Sequence, residues 1–282
     1  MDFQVFGGDE RLRELAVLLS REGHGAACLG MERAELPETI RRIASPTEAD
    51  CVILPVPAVR GGALNAPFSA RKLDAAELIR SLPTGSTVFA GMPDAALRAA
   101  AEERGIALYD YSSQSGFAVG NAAITAEAAV SICMERLRRT VSGSSVLVIG
   151  CGRIGRLLAM KFKALGAEVS VLSRSAETRE LMRAAGMSVP GREDIPECLS
   201  SFDLIVNTAP APMLTEAELR SVPESCFVLE LASPPYGIAP ETAEKLGLNY
   251  LNAPGLPGKY APQTAAVLIK NAVTEIMKER KK

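Results

Sequence analysis

The stretch Val146-Leu147-Val148-Ile149-Gly150-Cys151-Gly152-Arg153-Ile154-Gly155 decides how this chain is read. Four apolar residues run straight into a G-x-G-x-x-G turn, and a helical pattern follows. Gly150 permits the tight turn, Gly152 lets the backbone approach a pyrophosphate, and Gly155 lets helix pack closely on strand. Arg153 and Ile154 open the helix, whose N-terminus supplies oriented N–H groups and positive potential for a phosphate anion. With a second strand expected at residues 168–172, the context is that of a dinucleotide-binding βαβ unit. At the end of that second strand, where an acid would hold a ribose 2′-hydroxyl, stand Ser173-Arg174-Ser175. A guanidinium and two hydroxyls suit a 2′-phosphate, so NADP(H) is expected over NAD(H).

Working outward, short β-rich runs alternate with helical patterns through the whole chain, which predicts an α/β protein with parallel sheets. The rhythm occurs twice. Residues 4–6, 26–29, 51–54, 87–90 and 107–109 read as five strands with helices at 11–21, 74–81 and 94–104, which fits a flavodoxin-like N-terminal domain at 1–120. Strands at 145–149, 168–172, 203–207, 226–231 and 249–251, with helices at 153–165, 177–185 and 263–280, fit a Rossmann-type dinucleotide-binding domain at 121–282. A linker helix is expected within 121–140, with Ala126, Ala129, Val130, Cys133, Met134 and Leu137 on its apolar stripe. The terminal helix 263–280 is open to packing on the first domain instead.

The 282 residues suit two domains, and 48% apolar with 23% charged residues is ordinary globular composition. The first nine residues show no basic region followed by an apolar stretch, and no run of 18 apolar residues appears, so a cytoplasmic, non-membrane protein is expected. Six scattered cysteines without a C-x-x-C, and a single histidine, His24, argue against disulfides, zinc and a Ser-His-Asp hydrolase. A net charge of −2, divided as 12 basic against 16 acidic residues in 1–122 and 19 against 17 in 123–282, argues against a nucleic-acid binder. Small-molecule chemistry is the leading class.

Ligands in such sheets bind at the carboxyl ends of the strands. Asn207-Thr208-Ala209-Pro210 and Leu231-Ala232-Ser233 follow expected strands where a nicotinamide ring should lie, so Thr208, Ala209, Pro210 and Ala232 join the cofactor set. Pro254-Gly255-Leu256-Pro257-Gly258-Lys259 reads as a stiff loop. Lys259 there can fix a carboxylate or polarise a reacting group, or simply be solvated, and Gly255 is a candidate substrate contact. In the first half, Gly7-Gly8-Asp9 offers either an anion cradle at Gly8 or a plain turn with Asp9 as N-cap. The segment 59–67 suits a loop facing an interdomain cleft, with Arg60 able to bind a carboxylate. Asn121 and Thr125 open the linker helix, where an N-terminus can face an anion. His24 lies away from any carboxyl edge.

Three segments together resemble one family, the A subunit of bacterial dipicolinate synthase. They are residues 146–155 with Ser173-Arg174-Ser175, Asn121-Ala122-Ala123-Ile124-Thr125-Ala126-Glu127, and Ala253-Pro254-Gly255-Leu256-Pro257-Gly258-Lys259 leading into Ala261-Pro262-Gln263-Thr264-Ala265. The last is the most specific. The resemblance implies two domains like those of hydroxy-acid and alanine dehydrogenases. It also implies NADP-dependent oxidation of dihydrodipicolinate, a small dicarboxylate, to dipicolinate in spore formation, on a branch of lysine synthesis and with a flavoprotein-like B subunit. Two departures stand beside it: the segment 56–67 does not align, and no acid–base histidine lies near the expected cleft. Other readings are a nucleotide-binding partner subunit without chemistry of its own, and a 2-hydroxy- or amino-acid dehydrogenase. The oligomeric state is open, a homo-oligomer included.

Overall fold

The computed structural model describes residues 1–280. It divides into two compact units, one of Met1–Asn121 with the segment from Pro257 onward, the other of Ala122–Leu256. In chain order the first carries β1 (Asp2–Phe6), α1 (Glu10–Arg21), β2 (Gly25–Leu29), β3 (Arg41–Arg42), β4 (Cys51–Ile53), β5 (Val59–Arg60), β6 (Ala63–Leu64), α2 (Ala75–Arg80), β7 (Thr87–Ala90), α3 (Ala95–Glu103) and β8 (Ala107–Asp110). Helix α4 (Ser115–Arg136) crosses the boundary. The second carries β9 (Ser145–Ile149), α5 (Arg153–Ala164), β10 (Glu168–Leu172), α6 (Ala176–Ala184), α7 (Ile195–Cys198), β11 (Leu204–Asn207), α8 (Glu216–Leu219), β12 (Phe227–Glu230), α9 (Pro240–Leu246) and β13 (Asn249–Asn252). The short α10 (Leu256–Tyr260) and long α11 (Pro262–Glu279) complete the chain.

The first sheet runs β3-β2-β1-β4-β7-β8, all parallel. Leaving aside the two-residue edge strand β3, the five expected strands take the order 2-1-3-4-5 of a flavodoxin-like sheet. The second runs β10-β9-β11-β12-β13, also parallel. Beyond β10 a single parallel bridge joins Ser170 to Ser188, which completes the dinucleotide-fold order 3-2-1-4-5-6 with one residue standing for a strand. The apolar run of β9 is explained by burial on both faces: Val146 and Val148 point into one core, Leu147 and Ile149 into the other.

The terminal helix packs with the first unit. Ala265, Ala266, Ile269, Ala272, Val273 and Ile276 form a buried stripe in the core that also holds Phe3, Val5, Leu12 and Leu15, and Lys270 pairs with Glu22 of α1. Arg280 donates to Thr87 at 3.0 Å and lies over the Tyr109 ring at 5.1 Å. Residues 257–280 therefore leave the second domain to which the pattern assigned them. An amphipathic stripe tells that a helix is half-buried but not which sheet covers it. Trimming Ile269→Val in that stripe should cost about 1 kcal/mol of stability, whereas Val267→Ala, at a position 40% exposed, should cost under about 0.5, as urea unfolding would show.

Four local expectations are corrected. The linker helix spans 115–136 rather than 121–140, so Asn121 and Thr125 lie inside it and do not open it. Met134, expected on the buried stripe, is 58% exposed. The supposed loop 59–67 holds a hairpin, β5 with β6, closed by Gly61 and Gly62, both at positive φ as a two-residue turn requires. The supposed stiff loop before α11 includes the helical turn α10. Among the described residues α4 is the one helix long and apolar enough to cross a membrane by length and composition, and half of that stretch is buried inside the protein.

Candidate functional site

The glycine turn of the second unit is built as its residue types require. Gly150 has φ +79, and a Cβ there would sit 2.9 Å from the Ala209 nitrogen. A Cβ on Gly155 would meet the Gly150 carbonyl oxygen at 2.2 Å, so α5 can approach β9 this closely only with glycine. Gly152 is different: a Cβ there meets nothing within 4 Å. That open flank is the approach a pyrophosphate needs. Gly152 is the N-cap of the 12-residue α5 and offers no capping side chain, so the first N–H groups of the helix stay available to an anion. Arg153 is exposed and Ile154 half-buried at this N-terminus. Thr208 underpins the turn, its hydroxyl donating to the Gly150 carbonyl at 3.1 Å while its N–H donates to the Ile149 carbonyl at 2.8 Å.

At the carboxyl end of β10, Ser175 caps α6 by accepting from the Thr178 N–H at 3.2 Å. The Ser173 and Arg174 carbonyls both accept from Arg179, which fixes this corner and leaves the Arg174 side chain exposed. Arg174 lines a cavity of about 580 Å³ together with Arg192, Thr215, Tyr236 and Thr242. Arg192 is held by a two-pronged pair to Glu218, both contacts at 2.6 Å. That guanidinium, with help from the Thr215 N–H and hydroxyl, pulls the Glu218 carboxyl down to about 2.

The ends of β11 and β12 carry a feature that sequence reasoning missed. Glu230 is fully buried and faces the fully buried Asn207. Its Oε1 accepts from Asn207 Nδ2 at 2.7 Å and from the Ala232 N–H at 2.8 Å, and its Oε2 accepts from the Ile238 N–H at 2.8 Å. Asn207 also ties both backbone polar groups of Ala209, accepting from its N–H and donating to its carbonyl. Burial pushes the Glu230 carboxyl above the ordinary range, against the pull of these donors. One carboxylate–amide pair thus sets the backbone of Ala209 and Ala232, with Pro210 exposed beside them. An acid closing an otherwise apolar buried strand was the available signal.

The first unit gathers its own polar groups at the end of β1. Gly7 and Gly8 have φ +60 and +96, Gly8 donates to the Asn65 carbonyl at 2.8 Å, and Asp9 caps α1. Asp9 also pairs with the buried Arg11. Arg60 and Lys259 are both exposed, as is Gly255 in its turn at φ +70. Thr125 is buried and Asn121 half-buried within α4. His24 packs edge-on against Phe3, with ring centroids 5.4 Å apart, at the amino end of the sheet. The cysteines are not poised as nucleophiles: burial pushes Cys28 up to about 12 and Cys51 up to about 11, and it also raises Cys151 beside the glycine turn.

Residues 121–232 match the family model described as D-isomer specific 2-hydroxyacid dehydrogenase, NAD binding domain. With the glycine cradle in place, the second unit is a nicotinamide-dinucleotide-binding domain and the chain an oxidoreductase of the dehydrogenase type. Residues 2–112 match the family model for the N-terminal domain of the dipicolinate synthase A subunit. The chain is 30% identical to the A subunit of dipicolinate synthase from Bacillus subtilis (strain 168), over 98% of this chain and 95% of that protein. The crystal structure of the A subunit of dipicolinate synthase from Bacillus halodurans superposes with a TM-score of 0.85 at 27% identity, covering 98% of this chain and 97% of that one. Its Bacillus subtilis counterpart gives 0.83 at 28%, covering 99% and 96%. This chain belongs to the family of dipicolinate synthase A subunits.

Proposed function

We propose that the chain oxidises dihydrodipicolinate to dipicolinate with NADP⁺, acting with a flavoprotein-like B subunit in the cytoplasm of a spore-forming cell, where dihydrodipicolinate is drawn from lysine synthesis. The observation that carries the reading is likeness to the A subunit of a dipicolinate synthase along 98% of the chain, with every glycine of the dinucleotide turn in place. When bound, the nicotinamide supplies a hydride acceptor, and aromatisation of the dihydropyridine ring favours loss of a hydride and a proton.

The chain's own residues divide the remaining work. The N-terminus of α5, at Gly152, Arg153 and Ile154, holds the pyrophosphate, with Gly150 and Gly155 shaping the turn. Arg174, aided by Ser173 and the Ser175 hydroxyl proton, holds a 2′-phosphate. Thr208, Ala209, Pro210 and Ala232 bound the nicotinamide end, their backbone set by Asn207 and Glu230. Gly8 and Gly255 stand as candidate substrate contacts, as do Asn121 and Thr125 from within α4. The exposed Arg60 and Lys259 are cations that a dicarboxylate can meet.

The cofactor preference rests on charge at one corner. Arg174→Asp should weaken NADP⁺ binding by roughly 10- to 100-fold and change NAD⁺ binding far less, because the lost contact is charge-assisted and the new carboxylate repels a phosphate. Titrations of both cofactors check this, and an unchanged NADP⁺ affinity would remove Arg174 from the site. The activity itself is tested by mixing the chain with NADP⁺ and freshly made dihydrodipicolinate, with and without a B subunit. Reduced nicotinamide should accumulate in step with dipicolinate. No turnover in either mixture would defeat the proposal.

A further inference from the structure

We infer that Arg11, braced by Asp9, is the carboxylate anchor of the first unit, and that it binds one carboxylate of the small dicarboxylate substrate. The ligand's identity rests on the functional reading above; the position rests on geometry. Arg11 is 6% exposed, and an arginine is rarely so buried unless it is paired. Its Nε and Nη2 donate to the two Asp9 oxygens at 2.9 and 2.8 Å, and Nη2 also donates to the Val56 carbonyl at 2.6 Å. Those bonds use three of the five guanidinium protons. Among the described residues, Nη1 has no hydrogen-bond partner, and no buried side-chain nitrogen or oxygen is left unpaired, so Nη1 is reached by solvent. The bonds to Asp9 and Val56 fix the plane of the guanidinium, so its remaining edge faces outward in a set direction. Its last two protons are placed where an anion can accept them.

The surroundings suit a small anion. Asp9 is the N-cap of the 12-residue α1 and Arg11 stands in its first turn, so the positive end of the helix adds to the guanidinium charge. The site lies at the carboxyl edge of the first sheet, where ligands of such sheets bind. Backbone converges on it closely: a Cβ on Gly258 would sit 2.7 Å from Asp9 Oδ2 and 3.2 Å from Arg11 Nε, and one on Gly7 would sit 2.8 Å from Ala66 Cβ. Asn65 braces the same corner, accepting from the Gly8 N–H and donating to the Pro57 carbonyl at 3.1 Å. Arg60 and Lys259, by contrast, are exposed cations.

The test is calorimetric titration of the wild-type chain, Arg11→Gln and Arg11→Lys with dipicolinate and, separately, with malonate and pyruvate. NADPH affinity is measured alongside as a reference for the second unit. Arg11→Gln should weaken dipicolinate roughly 10- to 100-fold and leave NADPH unchanged, with Arg11→Lys in between because it keeps the charge and loses the fork. A crystal of the wild-type chain with dipicolinate should place a carboxylate oxygen on Nη1, which decides the matter even if the variants fail to fold. Equal dipicolinate affinity in wild type and Arg11→Gln, a carboxylate bound elsewhere, or no carboxylate binding to wild type would overturn the anchor. Arg11-dependent binding of malonate or pyruvate without dipicolinate would uphold the anchor and overturn the proposed substrate. Unchanged conversion of dihydrodipicolinate to dipicolinate by Arg11→Gln would do the reverse.

Discussion

A Gly152→Asp variant should fold as the parent does and bind NADP(H) roughly 100-fold more weakly. Space at Gly152 is open, and its φ of −75 and ψ of −157 suit any residue, so the substitution brings neither a clash nor backbone strain. Aspartate is moreover among the best N-cap residues. Its carboxylate would accept from the first N–H groups of α5, the groups the pyrophosphate needs, and would repel the phosphates as well. A loss of about 3 kcal/mol in binding corresponds to that factor. Fluorescence titration of NADPH reads the affinity, and thermal unfolding should show a midpoint equal to or above the parent's. Gly155→Ala should behave oppositely: its Cβ would lie 2.2 Å from a backbone oxygen that cannot yield cheaply, so stability falls along with binding.

Glu230→Ala should destabilise the second unit by roughly 1–3 kcal/mol for each buried donor left without an acceptor. The substitution leaves Asn207 Nδ2 and the Ala232 and Ile238 N–H groups without their acceptor, at a position sealed from water. Glu230→Gln is not a gentle replacement, since one carboxamide position presents donors to a donor. The raised Glu230 value carries its own sign. An acid whose folded-state value lies above its unfolded value of 4.5 binds more protons folded than unfolded, so its contribution to stability falls as pH rises from 4.5 through the folded value. Urea unfolding checks the magnitude. Because the same carboxylate sets Ala232 and, through Asn207, Ala209, any Glu230→Gln protein that folds should also lose affinity for the dinucleotide.

The parts of the fold that sequence reveals are those written in local pattern. Strand β9 and its glycines announce themselves, because burial on both faces demands an unbroken apolar run and the turn demands glycine at fixed spacing. Other parts depend on partners that no local pattern names. The stripe on α11 reads as amphipathic whichever sheet it covers. Ser188 contributes to the second sheet as a single bridge, too short to show as a strand. The hairpin at Gly61-Gly62 reads as a loop because its flanking strands of two residues each are shorter than alternation can register.

The candidate site divides along the same line. The glycine cradle stands in a motif, and the proposed role of Arg174 follows from its place at the end of the next strand, so both could be found by spacing. Arg11 and Glu230 could not, since each is one charged residue among many until the fold buries it. A charge at a strand end or in a first helical turn reads as solvated by default. Only burial, together with the count of donors and acceptors around it, separates Arg11 from the exposed Arg60 and Lys259.

Isotope transfer tests the proposed chemistry most directly. Dihydrodipicolinate carrying deuterium at the ring carbon that gives up the hydride would be reacted with NADP⁺ in the presence of this chain and a B subunit, and the reduced cofactor analysed by mass spectrometry. Direct transfer predicts dipicolinate and a reduced nicotinamide that is one mass unit heavier, in equal amounts, with no label in solvent water from that carbon. Dipicolinate formed with an unlabelled cofactor, or with label lost to water, would contradict it.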